Sequence, residues 1–84
     1  MERAEVKERV YKVLDSMGFG TELIEEDYGY FNDLGMDSLD SVEYLVALEK
    51  EFKIAISDEN MEDMYQSTVG ITIDEIHEMV NKKQ

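Results

Sequence analysis

Cysteine and proline are both absent from the 84 residues, histidine occurs once, and no apolar run exceeds a few residues. Without cysteine there can be no disulfide, no thiolate zinc site and no cysteine nucleophile, which fits a cytoplasmic chain. Without a long apolar run nothing spans a membrane, and the opening MERAEVKERV has no apolar secretory region. Basic residues are scarce too: 8 Lys and Arg stand against 21 Asp and Glu, a net charge of −13. Nucleic-acid phosphates and anionic membranes need basic patches, so neither is an expected partner. Surfaces rich in Lys and Arg are. Repulsion among the acids should weaken the compact state at low salt, and screening or divalent cations should relieve it.

What is present reads as helix. The hydrophobic fraction of 43% is enough for a modest core, and the length suits one domain over residues 1–84. Val6, Val10, Val13, Leu14 and Met17 make one stripe on a helix over roughly residues 2 to 17, ended by the glycines of GFG. Residues 20 to 36 form a long loop that Leu23, Ile24, Tyr28, Tyr30 and Phe31 can tack to the core. A second helix starts after Asp37 as N-cap, with Asp40 at the positive end of the dipole. Its expected inward face is Leu39, Val42, Val46 and Phe52, widened by Leu45 and Leu48. A short third helix starts at Ser57. The capping-box pattern TIDE predicts the last helix from Thr72, with Ile73, Ile76, Met79 and Val80 inward and Lys82 and Lys83 at its end. An enlarged loop over Tyr65 to Ile71 then precedes it, preferred over a start at Thr68-Val69 that would bury Gly70 and Thr72 in the first turns. The fold class is all-α: a small bundle of three main helices and one short one, with a long first loop.

Catalysis finds little support. Ser38 has no histidine or lysine near it in sequence, His77 reads as a solvated residue of the last helix, and the G-x-S-x-G elbow is missing. With 21 acids, some carboxylate pair will always sit at any chosen spacing. Calcium-loop frames beginning at Asn32 or Asp27 place Leu34, Met36 or Gly29 where oxygen ligands are required, so no EF-hand and no defined metal site is expected, while loose divalent binding by clustered carboxylates stays open. Ser38 itself falls in the first turn of a helix, where unpaired N–H groups and the dipole favour a phosphate.

The string DLGMDSLDSVEYLVALEKEF resembles the modification motif of acyl carrier proteins, D-[SL]-x-G-x-D-S-L-D followed by an amphipathic helix containing V-E. IAISDE resembles the family's I-x-I-P-D-E, with Ser57 in place of proline, and Tyr30 falls where a core Phe is usual. Thr72, Ile73, Glu75, Ile76 and Val80 fit its last helix, so the resemblance spans nearly the whole chain.

The resemblance implies that Ser38 receives 4′-phosphopantetheine from coenzyme A through a phosphopantetheinyl transferase, and that acyl groups ride on that arm as thioesters. The chain would then be no enzyme but a monomeric carrier, presented to acyl-loading and acyl-processing enzymes with basic patches. Asp37, Asp40, Glu43 and Glu49 would dock those partners, with Leu39, Val42 and Met36 adding apolar contact. Leu48, Phe52, Ile56, Met61 and Met64 would line an acyl pocket. Because the enlarged loop would border that pocket, a specialised carrier for an unusual lipid, polyketide or activated acid is one expectation. The initiating Met and lack of linkers point to a free-standing carrier. Two alternatives remain: a peptidyl or aryl carrier of the same fold, and an unmodified acidic adaptor.

Overall fold

The computed structural model describes residues 1–82. Four α-helices follow in order: α1 (Arg3–Ser16), α2 (Ser38–Phe52), α3 (Asp58–Tyr65) and α4 (Val69–Lys82), with one 3-10 turn at Thr21–Leu23 in the first loop. Helix α1 packs against both α2 and α4. Its stripe is as expected at Val6, Val10, Val13 and Leu14, all buried, while Met17 only borders the core. Gly18, at φ 94°, ends the helix in the left-handed region, and the Phe19 N–H reaches back to the Leu14 carbonyl at 3.1 Å.

Three expectations need correction. The inward face of α2 is Ser41, Tyr44, Leu45, Leu48 and Phe52. Leu39 and Val42 point outward, 67% and 55% exposed, and Val46 is half-buried. Both stripes have helical spacing; the true one carries two polar residues, which disguised it. In the first loop, Ile24 and Tyr30 enter the core and Tyr28 packs at its edge, but Leu23 and Phe31 stand in solvent.

The third correction concerns α4, which begins at Val69, not after Thr72, so the connection from α3 is only Gln66, Ser67 and Thr68. The orphan donors of its first turn explain why. The Val69 N–H binds the Tyr28 carbonyl at 3.0 Å and the Gly70 N–H binds the Glu26 carbonyl at 2.7 Å. Thr68 caps the rest, its Oγ1 accepting from the Ile71 N–H at 3.3 Å and its carbonyl from Thr72 N–H at 3.1 Å. An antiparallel bridge pairs Gly29 with Thr68. The first loop therefore supplies what an isolated helix would lack, and it offsets the poor propensity of Gly70. No enlarged loop exists, and with it goes the ground for expecting a specialised cargo. Thr72 is a fully buried core residue of α4. Lys83 lies outside the described residues.

Ion pairs tie the loop down. Glu26 accepts from Arg3 and from Lys7 Nζ (3.0 Å), and Arg3 Nε also reaches Asp74 of α4 at 2.6 Å. Arg9 links α1 to the end of α2 through the Glu51 carboxylate and carbonyl, both at 2.7 Å, and lies over the Phe52 ring.

Candidate functional site

The turn before α2 is built to present Ser38. Asp33 Oδ2 accepts the Gly29 N–H at 2.7 Å, and the Gly29 carbonyl accepts the N–H groups of Asp33 and Leu34. The Met36 N–H returns to the Tyr30 carbonyl at 3.0 Å, a reversal that needs the positive φ of Gly35, 71°. Met36 is clamped from the other side by the Tyr65 hydroxyl, which donates to its carbonyl at 3.3 Å. Asp37 and Asp40 then form a capping box: Asp37 Oδ1 accepts the Asp40 N–H at 2.8 Å and Asp40 Oδ2 accepts the Asp37 N–H at 3.4 Å.

Ser38 is the first residue of α2 and is exposed. Among the described residues no hydrogen bond engages its hydroxyl, although its carbonyl accepts from the Ser41 hydroxyl at 2.8 Å. The capping box uses the N–H groups of Asp37 and Asp40. Those of Ser38 and Leu39 belong to the turn that has no preceding carbonyl to bind, so the start of α2, with the positive end of its dipole, would favour a phosphate esterified to Ser38. The exposed hydroxyl and these donors fit a phosphopantetheine arm. His77 is half-buried on α4 and makes no hydrogen bond to Ser38 among the described residues, so no nucleophile pair is assembled. Among the same residues no group of His, Cys, Asp or Glu is placed to hold a metal ion.

The other candidate positions divide. Asp37, Leu39, Val42 and Glu43 are exposed beside Ser38, and Asp40 is partly so. Met36 is not: at 1% exposure it is a core residue and offers no surface to a partner. Glu49 is half-buried and already employed, its Oε2 accepting the Ile56 N–H at 2.8 Å and so fixing the turn between α2 and α3. Leu48, Phe52, Ile56 and Met64 are buried together and Met61 packs against them. A hollow of about 270 Å³ runs between Gly29–Asn32 and Tyr65–Ser67, and none of those five lines it.

One arrangement escaped the sequence reading. Tyr30, Tyr44 and Thr72 bring three hydroxyls together in the core, with Tyr30 Oη 2.8 Å from Tyr44 Oη and 2.7 Å from Thr72 Oγ1. Burial pushes the Tyr30 phenol up to about 12, and burial likewise raises Tyr44 well above its usual value. The signal was available in the spacing Tyr44–Leu45–Leu48–Phe52, but the Thr72 partner depended on where α4 begins.

Comparison with known proteins adds to this geometry. Residues 13–74 match the family described as the phosphopantetheine attachment site. The acyl carrier protein of Chlorobium phaeobacteroides is 43% identical over 77 residues, covering 90% of this chain and 96% of its own length. That of Buchnera aphidicola is 42% identical over 79 residues, covering 93% and 96%. The solved structure of an acyl carrier protein from Enterococcus faecalis superposes with a TM-score of 0.75 at 31% identity, over 94% of this chain and 99% of that one.

Proposed function

Since the chain belongs to the acyl carrier protein family, whose prosthetic group is covalent 4′-phosphopantetheine, we propose that Ser38 is its attachment point and that the whole of residues 1–84 acts as one carrier unit. The observation that carries this reading is the exposed, unengaged Ser38 hydroxyl held at the start of α2 by the Asp37–Asp40 capping box. The arm supplies the thiol the sequence lacks, and acyl groups are held on it as thioesters for partner enzymes of fatty-acid, lipid or polyketide biosynthesis. Catalysis belongs to those partners.

The docking face consists of Asp37, Asp40 and Glu43 with the exposed Leu39 and Val42 between them. Acids around an apolar centre suit a basic partner that is captured quickly and released quickly. Glu49 contributes charge at the edge of this face, while its carboxylate stays bound to Ile56. Leu48, Phe52, Ile56, Met61 and Met64 form the interior that an acyl tail would enter, methionine being able to re-pack around it.

Incubation with coenzyme A and a promiscuous phosphopantetheinyl transferase tests the reading by intact mass. The wild type should gain the mass of one arm and Ser38→Ala should gain none. No gain in the wild type would leave the acidic adaptor as the better account, and an equal gain in Ser38→Ala would move the site elsewhere.

A further inference from the structure

The interior behind α2 changes character along its length. The buried residues after Ser38 are Ser41, Tyr44, Leu45, Leu48 and Phe52. At about 1.5 Å of rise per residue they lie roughly 5, 9, 11, 15 and 21 Å from Ser38 along the axis. The near part is therefore hydroxyl-bearing and the far part apolar. Ser41 spends its hydrogen on the Ser38 carbonyl. Tyr44 belongs to a longer chain of donors.

The direction of that chain follows from its far end. Thr72 Oγ1 donates to the Thr68 carbonyl at 3.2 Å, and Tyr30 Oη donates to Thr72 Oγ1. Tyr30 has one hydrogen, so in the contact between the two phenols Tyr44 is the donor. The sequence runs Tyr44 to Tyr30 to Thr72 to the Thr68 carbonyl, with every hydrogen used. Among the described residues no donor reaches the acceptor side of the Tyr44 oxygen, on a side chain only 1% exposed. A further hydroxyl donating there would lengthen a chain polarised in the same direction, which strengthens each member. A methylene group at that point gains contact but no hydrogen bond.

We propose that this carrier favours acyl groups with a hydroxyl close to the thioester, 3-hydroxyacyl groups, over saturated groups of the same length, and that Tyr44 reads the hydroxyl. The proposal rests on Ser38 as the attachment point. The cargo hydroxyl lies at the near, polar part of the interior, and its tail runs toward Leu48 and Phe52. Met36 and Met64, both fully buried, are unbranched and can re-pack to admit it.

Holo protein loaded with octanoyl or 3-hydroxyoctanoyl groups, each verified by intact mass, tests this in thermal melts. The hydroxylated form should melt about 4–8 °C above the saturated one, the size of one net hydrogen bond in a domain this small. In Tyr44→Phe the gap should close. The double variant Tyr30→Phe/Tyr44→Phe removes both phenol oxygens and leaves Thr72 on the Thr68 carbonyl; its gap should close as well, and it replaces the single variant if that one fails to fold. Equal melting of the two wild-type forms, or a gap that survives in the variants, overturns the selectivity. If no mass attaches to Ser38, the attachment reading itself falls and the selectivity falls with it.

Discussion

Glu26 ties the first loop to two helices at once. Its carboxylate accepts from Arg3 and Lys7 of α1, and its carbonyl accepts the Gly70 N–H of α4. Those donors, Arg3 first and Lys7 second, hold the carboxyl down to about 2 from an ordinary value of 4.5. The side chains are 32% to 43% exposed, so solvent screening keeps the contribution at about 1 kcal/mol. Glu26→Gln should therefore lower the melting temperature at pH 7 by about 4–8 °C. A depressed carboxyl stabilises the fold above its unfolded value and loses that stabilisation as pH falls toward its folded one. The deficit should thus persist down to about pH 4.5 and close toward pH 2, as read in melts across that range. A deficit unchanged through that range would mean that packing, not charge, is lost. No sequence pattern singled out Glu26, because EED offers three equivalent acids and only the path of the loop selects one. The exposed place of Ser38 at the start of α2 was legible for the opposite reason: its neighbours Gly35, Asp37, Leu39 and Asp40 form a string in which the turn and the cap are local.

Helix α4 shows the same division at the level of an element. Its apolar residues Ile73, Ile76 and Val80 were readable from their spacing, and α1, α3 and the cap of α2 likewise rest on neighbours within a few residues. Its start was not readable. Local propensity favours Thr72, whereas the carbonyls of Tyr28 and Glu26, more than 40 residues earlier, draw the helix back to Val69. Gly70 makes that possible: a Cβ there would sit 3.0 Å from both the Glu26 Cβ and its carbonyl oxygen. Two effects oppose each other in Gly70→Ala. Helix propensity alone would stabilise the variant by about 1 kcal/mol. The contact with backbone at Glu26 requires the loop to shift, at a cost of about 1–3 kcal/mol. The steric effect should win, and the urea midpoint should fall with an unchanged slope. A raised midpoint would show that loop and helix do not approach this closely. The outward Leu39 and Val42 belong to the same lesson, since two apolar stripes at helical spacing cannot be ranked without knowing which side α1 covers.

Across the whole molecule the charges are unevenly sorted. No Lys or Arg occurs between Lys12 and Lys50, and none between Lys53 and Lys82. Arg3, Lys7 and Arg9 lie on α1 and each pairs with an acid of another element, so α1 is a cationic seam along which acidic parts are joined. Added salt acts on two things with opposite sign. It weakens these pairs, but they are contacts of about 3 Å or less and are screened least. It also weakens repulsion among the excess acids, spread over a body 34 × 26 × 20 Å, where separations exceed the Debye length as soon as salt is raised. With a net charge of −13 the second effect should dominate. Between about 0.01 M and about 1 M NaCl, which shortens the Debye length from about 30 Å to about 3 Å, the melting temperature at pH 7 should rise by at least about 4–8 °C. Near the isoelectric point of about 4.2 the net repulsion is gone and the same titration should be flat or falling. A melting temperature that falls with salt at pH 7 would mean that the α1 ion pairs, and not the surplus of acids, govern the stability of this carrier.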